Sequence, residues 1–456
     1  MTLFGTAGIR GPVADVVTPE LALAVGRAAG LDGETFVVGR DGRETGPALA
    51  AAMEAGLESS GATVARVGQL PTPALAFASQ GRRGVMITAS HNPPADNGIK
   101  MFADGVEYDR DAETRLENRV EGETPAVAWD EWGDGHREAV LDEYQAAVTE
   151  YAGDLGGRRA DPLAGRRIVV DCGTGMASLA TPQVLERLGA EVVALNANVD
   201  GHFPARESKP TPETLTDLVA FLEDGDFDLG IAHDGDADRI VIATPDGEIV
   251  HEDTVLAMLA GHYTRKSDAD DPVVVTTPNA SARIDEQVEA AGGRVERVRL
   301  GALHEGIARE LEAGTEETSV VFAAEPWKHI HTAFGGWIDG VVSAAVISRL
   351  VAEHDGLDAL RSPITERPYR KVSVDCPDDA KAGTMERLAT TLPETFPEGD
   401  VDTDYGVRID RPDGSWVLVR PSGTEPYVRV YAESEDVDAL VETAVDTVEA
   451  AVTDVQ

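Results

Sequence analysis

The sequence predicts an α/β protein: three tandem, related α/β domains with mixed or parallel sheets, followed by a smaller α+β domain. Three observations predict it. One strand–helix–strand pattern occurs three times along the chain, Gly- and charge-rich separators stand between the copies, and the pattern changes to hairpin-like strands near residue 365.

The first copy is "TFVVGRDGRETGPALAAAMEAGLESSGATVARVG" from Thr35, the second "RIVVDCGTGMASLATPQVLERLGAEVVALN" from Arg167, and the third "PVVVTTPNASARIDEQVEAAGGRVERVRLG" from Pro272. Each opens with a β-branched apolar run, passes through a polar loop into a helical pattern, and closes on a glycine and a second Val-rich run. That is the β-α-β unit of a parallel sheet, and its repetition at this length argues for related domains. "GDLGGRRADPLAGRR" and "RKSDADDP" separate the copies, and "HDGLDALRSPITERP" follows the third. The expected domains are residues 1–152, 153–257, 258–365 and 366–456. In the last, "YRKVSVDC" and "YGVRIDRPDGSWVLVRPSGTEPYVRVYAES" read as strands, with a turn at Pro412-Asp413-Gly414. "DVDALVETAVDTVEAAVTDV" has the spacing of a closing amphipathic helix.

The totals set limits on function. The chain has 456 residues, 42% of them hydrophobic, enough for several cores. Its formal charge is -43, from 82 acidic and 39 basic residues spread along the whole length. Such self-repulsion is relieved at about 1 M salt, where the Debye length is roughly 3 Å. A salt-rich cytoplasm is expected, as in a halophilic archaeon. No basic stripe supports nucleic-acid binding. Cys172 and Cys376 are the only cysteines, so there is no disulfide framework. Without a signal-like or membrane-length apolar run, the protein is expected to be soluble, cytoplasmic and free of membrane partners.

Five segments carry candidate chemistry. In "GVMITASHNPPADNGIKMF", the apolar run Val85, Met86, Ile87 reads as a buried strand that Asn92-Pro93-Pro94 must end. Ser90 and His91 then sit where a strand delivers the chain to a sharp loop, a common way to present a reactive side chain; an ordinary self-capping turn is the bland alternative. In "GIAHDGDADRIVIA", Asp234, Asp236 and Asp238 alternate between two apolar runs. Clustered hard oxygens suit Mg²⁺ or Ca²⁺, and the loop lacks the glycine and glutamate positions of an EF-hand. In "RPSGTEPYVRVYAES", Arg420, Ser422, Gly423 and Thr424 offer several donors in one tight loop suited to a phosphate, and Arg429 follows on the next strand. Arg10 lies in the glycine-punctuated "FGTAGIRG". In "AAEPWKHIHTAFGGWIDG", Glu325, Lys328 and His329 crowd a segment with Trp327 and Trp337, which suits sugar recognition or a packed loop.

Taken in order, "FGTAGIRG", "TASHNP", "DGDADR" and "RPSGTEP" resemble the α-D-phosphohexomutases: phosphoglucomutase, phosphomannomutase and phosphoglucosamine mutase. The resemblance covers nearly the whole chain and implies four domains around a central cleft. It implies that Ser90 is the phosphorylated serine, with His91 shaping its loop. Asp234, Asp236 and Asp238 then match the Mg²⁺ ligands, with the Ser90 phosphate as a further one. Arg10 and Lys100 match residues beside the phosphoserine, Lys100 being a candidate acid/base whose pKa Mg²⁺ and Arg10 would lower. Arg239 matches a residue near the transferred phosphate. Gly301, Glu325 and His329 fall in the sugar-contacting loops, and Arg420, Ser422, Gly423 and Thr424 in the loop that holds the substrate's own phosphate.

The implied reaction is a Mg²⁺-dependent transfer between the 1- and 6-positions of a hexose phosphate, through phospho-Ser90 and a bisphosphate, with hexose 1,6-bisphosphate as activator. A monomer or homodimer is expected. Glucose or mannose phosphate is the first expectation for substrate and glucosamine phosphate the second; a phosphopentomutase, or a phosphatase using the same serine, is the alternative. One departure bears on that choice. Where the family often has Gly-Glu-x-Ser-Gly-His, this chain has Ala324-Glu325-Pro326-Trp327-Lys328-His329. The Trp327 bulk and the Lys328 charge are expected to alter sugar recognition.

Overall fold

The computed structural model describes residues 3–5, 8–154, 161–423 and 425–455. Thr424, and Thr6 and Ala7 of the N-terminal motif, lie outside the described residues. The chain forms two compact units, Met1–Glu252 with Trp327–Arg361, and Asp253–Pro326 with Ser362–Gln456.

The first unit holds two sheets. Strands β1 (Ile9–Pro12), β2 (Thr35–Arg40), β3 (Thr63–Gln69), β4 (Arg83–Ile87), β5 (Asp96–Ala103), β6 (Val106–Glu107) and β7 (Gly135–Arg137) form one, in the order β1-β5-β4-β2-β3-β7 with β6 beside β5. β4, β2, β3 and β7 run parallel, while β5 is antiparallel to β4 and β1. Helices α1 (Pro19–Ala29), α2 (Gly46–Ser59), α3 (Thr72–Ala78), α4 (Arg110–Glu121) and α5 (Leu141–Asp154) cover it. β4 is anchored because Val85, Met86 and Ile87 are fully buried, each contributing about 1.5–3 kcal/mol. The second sheet has the order β11-β10-β8-β9, from β8 (Arg167–Asp171), β9 (Glu191–Leu195), β10 (Leu229–His233) and β11 (Ile240–Ala243). Only β11 is antiparallel to its neighbour. α6 (Thr181–Arg187) and α7 (Thr216–Glu223) are its crossover helices.

In the second unit, α8 (Glu252–Lys266), α9 (Ala282–Ala290) and α10 (Leu303–Ala313) flank a third sheet. Its strands β12 (Asp271–Thr276), β13 (Arg294–Arg297) and β14 (Thr318–Glu325) are parallel, with β12 central. The chain then contributes β15 (Lys328–Ile330), α11 (Gly340–Glu353) and α12 (Leu357–Arg361) to the first unit. The last domain is an antiparallel sheet, order β16-β20-β19-β18-β17, from β16 (Tyr369–Asp375), β17 (Asp400–Asp402), β18 (Val407–Asp410), β19 (Trp416–Pro421) and β20 (Tyr427–Glu433). α13 (Lys381–Thr395) and α14 (Val437–Val455) pack on it. The Pro412-Asp413-Gly414 turn joins β18 to β19, with Gly414 at φ 78, where a side chain would be strained. No helix among the described residues is long and apolar enough to cross a membrane.

Candidate active site

Ser90 follows β4 in the left-handed region, at φ 50, a conformation that costs a non-glycine residue energy unless its surroundings enforce it. They do. Ser90 N donates to Thr88 Oγ1 at 2.9 Å, and Thr88 Oγ1 donates to Asp41 Oδ2 at 2.7 Å. Arg43, fully buried, gives Nη2 to the carbonyls of Ser90 (2.9 Å) and Asn92 (2.7 Å), and Nη1 to those of Pro93 (2.6 Å) and Asp96 (2.9 Å). Its Nε bonds Asp41 at 3.1 Å. One guanidinium thus ties four carbonyls of the serine loop, using the rigid donor fork that lysine lacks.

The acidic loop follows β10 in the same unit. Asp234, Asp236 and Asp238 are buried, and one oxygen of each lies within 4.8 Å of the others. Gly235 faces the serine loop, and a Cβ there would meet Ser90 O at 2.6 Å. Ala237 turns the chain at φ 61. Arg206 holds the end of β10, with Nη2 on His233 O at 2.7 Å and Nε on Asp171 Oδ2 at 2.6 Å. Burial, then the charges of Asp238 and Asp236, push Asp234 well above the usual carboxylate range. Burial alone would raise Asp238 too, but Lys100 and Arg239 outweigh it and hold it low. Asp236 Oδ1 and Asp238 Oδ1 are buried without a hydrogen-bond partner among the described residues. Orphaned carboxylate oxygens converging in one buried spot fit a hard divalent cation.

The two loops meet. Ser90 Oγ donates to Asp234 Oδ2 at 2.6 Å and lies 3.3 Å from His91 Nδ1. Burial, then Arg239 and Arg10, lower the His91 pKa to about 2, so the imidazole is neutral. Lys100 on β5 is buried and reaches Asp238 at 2.7 Å and Asp236 at 3.3 Å. Arg239 Nε lies 3.9 Å from Asp234 and 4.0 Å from Asp238. Arg10, opposite Gly98 on β1, has a buried Nε with no partner among the described residues, and its charge acts on both His91 and Lys100. The carboxylates of the acidic loop also act on the Lys100 pKa. Burial alone would lower it, but Asp236 and Asp238 prevail and hold its ammonium above the ordinary lysine range.

The altered sugar loop divides. Trp327, at φ 67, packs against the apolar cluster that includes Val169, Leu215 and Val241, with Lys209 Nζ 5.9 Å from its ring centre. That packing anchors the loop on the second domain. Lys328 bridges to Arg239 through the backbone, and its charge acts on His91 and Asp238. His329 is buried, with Nδ1 2.9 Å from Ser343 Oγ, and burial lowers its pKa to about 3.

In the second unit, Glu325 Oε1 accepts from Gly301 N at 2.5 Å, and Gly301 has φ 80. The 420–429 hairpin is a small basic island. Arg420 Nη2 donates to Tyr431 OH at 2.9 Å and Arg429 Nη2 to Tyr427 OH at 2.5 Å, while the Nε of each is buried without a partner among the described residues. Lys381 Nζ grips the loop at Ser422 O (2.8 Å) and Glu425 O (2.6 Å). Ser422 Oγ accepts from Glu425 N at 3.2 Å, and Gly423 has open space around its Cα.

Sequence models of the phosphoglucomutase/phosphomannomutase family match four successive stretches: its α/β/α domains I, II and III at residues 1–126, 142–247 and 251–366, and its C-terminal domain at 372–450. The chain belongs to the phosphoglucomutase/phosphomannomutase family. It is an enzyme of the phosphosugar mutase type, an isomerase. A phosphopentomutase of Thermococcus kodakarensis is 40% identical, over 98% of both chains. A probable phosphoglucosamine mutase of Methanopyrus kandleri is 41% identical, over 95% of this chain and 94% of its own. Among solved structures, a phosphoglucomutase/phosphomannomutase family protein from Burkholderia thailandensis aligns with a TM-score of 0.85 at 26% identity, covering 100% of this chain and 97% of that one.

Sequence reasoning missed Asp41, Arg43, Arg206 and Lys381. Asp41-Gly42-Arg43 had a visible signal, a charged pair directly after a buried strand. Arg206 and Lys381 lie in segments without pattern, and their role depends on carbonyls that only the fold brings near.

Proposed function

We propose that this mutase moves a phosphoryl group between two positions of a sugar monophosphate through phospho-Ser90. The observation that carries the reading is the buried Ser90 Oγ, 2.6 Å from a carboxylate of the acidic triad. Asp234, Asp236 and Asp238 would hold Mg²⁺, which when bound supplies Lewis-acid neutralisation of phosphoryl charge. The chain's own residues supply the rest. The Asp41–Arg43 pair fixes the Ser90 backbone, so the phosphate carried on Oγ has one direction to point. Arg10, Arg239 and Lys328 add positive charge around that oxygen. In the first transfer the Ser90 Oγ–P bond breaks, a bond forms between phosphorus and the oxygen of the free sugar hydroxyl, and the proton lost by that hydroxyl is balanced by the one gained by Ser90 Oγ. In the second, the other phosphate of the bisphosphate returns to Ser90. Such transfer is mostly positioning and charge neutralisation. Lys100, buried beside Asp236 and Asp238, suits charge neutralisation and proton donation to a departing oxygen. Arg420, Ser422, Gly423, Thr424 and Arg429 would hold the phosphate that is not being transferred, and Gly301, Glu325 and His329 would support sugar recognition.

Lys328 bears on the sugar. Its charge lies near His91 and Asp238, and it would repel the ammonium of glucosamine phosphate while leaving a neutral sugar unaffected. Together with the phosphopentomutase relative, this favours a pentose 1-/5-phosphate, ahead of glucose or mannose phosphate and with glucosamine phosphate last. The test is a Mg²⁺-containing, high-salt conversion assay of ribose, glucose, mannose and glucosamine 1-phosphates, each primed with a sugar bisphosphate. Ribose 1-phosphate should give the highest kcat/KM, and Lys328→Gly should raise the relative rate on glucosamine 1-phosphate. A parent enzyme that prefers glucosamine 1-phosphate would overturn the sugar assignment. Release of inorganic phosphate alone would overturn the mutase reading.

A further inference from the structure

The third and fourth domains, both within the second unit, meet at a buried joint. One face of the last sheet packs its valines on α13 and α14. The other face carries three cross-strand pairs, Trp416–Glu433, Leu418–Tyr431 and Arg420–Arg429. Residues two apart on a strand share a face, so these pairs are successive rungs, roughly 7 Å apart. The last rung holds the hairpin arginines. The first is where the third domain takes hold.

Two buried arginines make that hold, one from each domain. Arg283, near the start of α9, gives Nη2 to Glu433 Oε1 and to Arg367 O, both at 3.0 Å, and Nη1 to Thr254 Oγ1 at 2.7 Å. Glu433 is itself buried, and its other oxygen accepts from Trp416 Nε1 at 3.1 Å. Arg408, on β18, reaches the other way. Its Nη1 donates to Pro278 O at 2.6 Å and Ala280 O at 2.9 Å, in the loop between β12 and α9, and its guanidinium carbon lies 4.2 Å from the Trp416 ring centre. Trp416, Leu418 and Tyr431 form an apolar cluster against Ala282 of α9. Parting these surfaces would strip buried charges of their partners, which is strongly unfavourable.

The contacts run on in both directions. Toward the hairpin, Tyr431 OH of the middle rung accepts from Arg420 Nη2 at 2.9 Å. Away from it, Thr276 Oγ1, at the end of β12, donates to Ala324 O at 2.8 Å. Ala324 directly precedes Glu325, whose carboxylate accepts from Gly301 N. The Gly301–Glu325 pair and the phosphate hairpin are therefore the two ends of one chain of contacts, with Arg408 in its middle.

We propose that Arg408 is a positioning residue that fixes the spacing between the Gly301–Glu325 pair and the Arg420–Arg429 rung, and that this spacing selects sugar phosphates by length. The inference rests on the proposed roles of those two ends in holding the sugar and its phosphate. A pentose and a hexose monophosphate differ in the distance from ring to phosphate, and a rigid spacing fits one better than the other. Arg283 holds the same joint from the other side.

Two variants of the full-length enzyme test this. Arg408→Lys keeps the charge and loses the donor fork. Thr276→Val cuts the chain of contacts at its far end with little change of shape, and it carries the test alone if Arg408→Lys fails to fold. Steady-state kinetics with ribose and glucose 1-phosphates, in Mg²⁺ and high salt, give the preference between the two sugars, and Arg420→Gln checks the hairpin itself. The parent's preference should fall about tenfold in Arg408→Lys and about threefold in Thr276→Val, through KM rather than kcat. Nitroxide labels on Glu312→Cys in α10 and Glu394→Cys in α13 read the spacing without any turnover, since both native cysteines are buried. Their distance distribution should be narrow in the parent and broader with Arg408→Lys. A broad distribution in the parent, one that Arg408→Lys leaves unaltered, or a sugar preference unaltered in either variant would overturn the proposal and leave the mutase reading standing. A parent without preference between the two sugars would do the same. A KM unaffected by Arg420→Gln would overturn the hairpin's role and this proposal with it.

Discussion

The serine–triad site of the first unit and the 420–429 hairpin of the second both gather positive charge for an anion, yet they are built in opposite ways. At the first, Lys100 is paired with two carboxylates, and the strained Ser90 backbone is tied at four carbonyls by Arg43, while Arg10 and Arg239 each keep a buried Nε without a hydrogen-bond partner among the described residues. At the second, Arg420 and Arg429 lean on tyrosine hydroxyls, Arg429 also lies 3.4 Å from Glu425, and the Nε of each has no hydrogen-bond partner among the described residues. A reacting atom must be held in one place before substrate arrives. In the proposed reaction the hairpin accepts either end of a sugar bisphosphate, which needs donors left for the ligand instead. The difference teaches that damage to the first should show in turnover and folding, and damage to the second in substrate affinity.

The largest effect is expected at Ser90. Ser90→Ala should lower kcat by about 10⁴-fold or more with the fold intact, as steady-state kinetics and circular dichroism would show. Next is Arg43→Met, which leaves Asp41 buried and uncompensated. It should cost about 3–5 kcal/mol in denaturant unfolding, and kcat should fall with little change in KM; a rise in KM alone would blur the contrast between the two regions.

Asp339 tests the support behind the acidic loop. It caps α11, whose first residue, Gly340, packs so closely under Ala237 and Arg239 that a Cβ would meet their carbonyls at 2.8 and 2.7 Å. Burial raises its pKa from 3.8 to about 6 despite hydrogen bonds from Val342, Trp337 and Tyr144. The folded state therefore holds this proton more tightly than the unfolded chain. The stability contributed is fully present below about pH 4 and is lost as pH rises through about 6. Relative to Asp339→Asn, the parent should lose at most about 3 kcal/mol across that window, measured by unfolding at each pH; parallel curves would refute the assignment. The smallest effect is expected at Arg420→Gln, which should raise KM about tenfold to hundredfold and leave kcat nearly unchanged.

The fold was legible where pattern is local. The three β-α-β units, the Pro412-Asp413-Gly414 turn and the closing helix each rest on periodicity or turn chemistry within a few dozen residues. Within the site, the Ser90 and triad loops announced themselves because reactive groups follow apolar strands. What the sequence did not show was long-range. Lys100 stands alone in the sequence, and only the fold sets Asp236 and Asp238, more than a hundred residues away, beside it. Trp327 sits beside sugar-loop residues in the sequence, and only the fold packs it on the apolar cluster of the second domain.

The central claim is that the phosphoryl group passes through Ser90. Brief incubation of the full-length enzyme with a radiolabelled sugar bisphosphate, followed by peptide mapping and a chase with unlabelled sugar 1-phosphate, tests it most directly. The account predicts label on the peptide carrying Ser90 that the chase transfers into sugar phosphate at the rate of turnover. Turnover without label on Ser90, or label that the chase cannot remove, would contradict it.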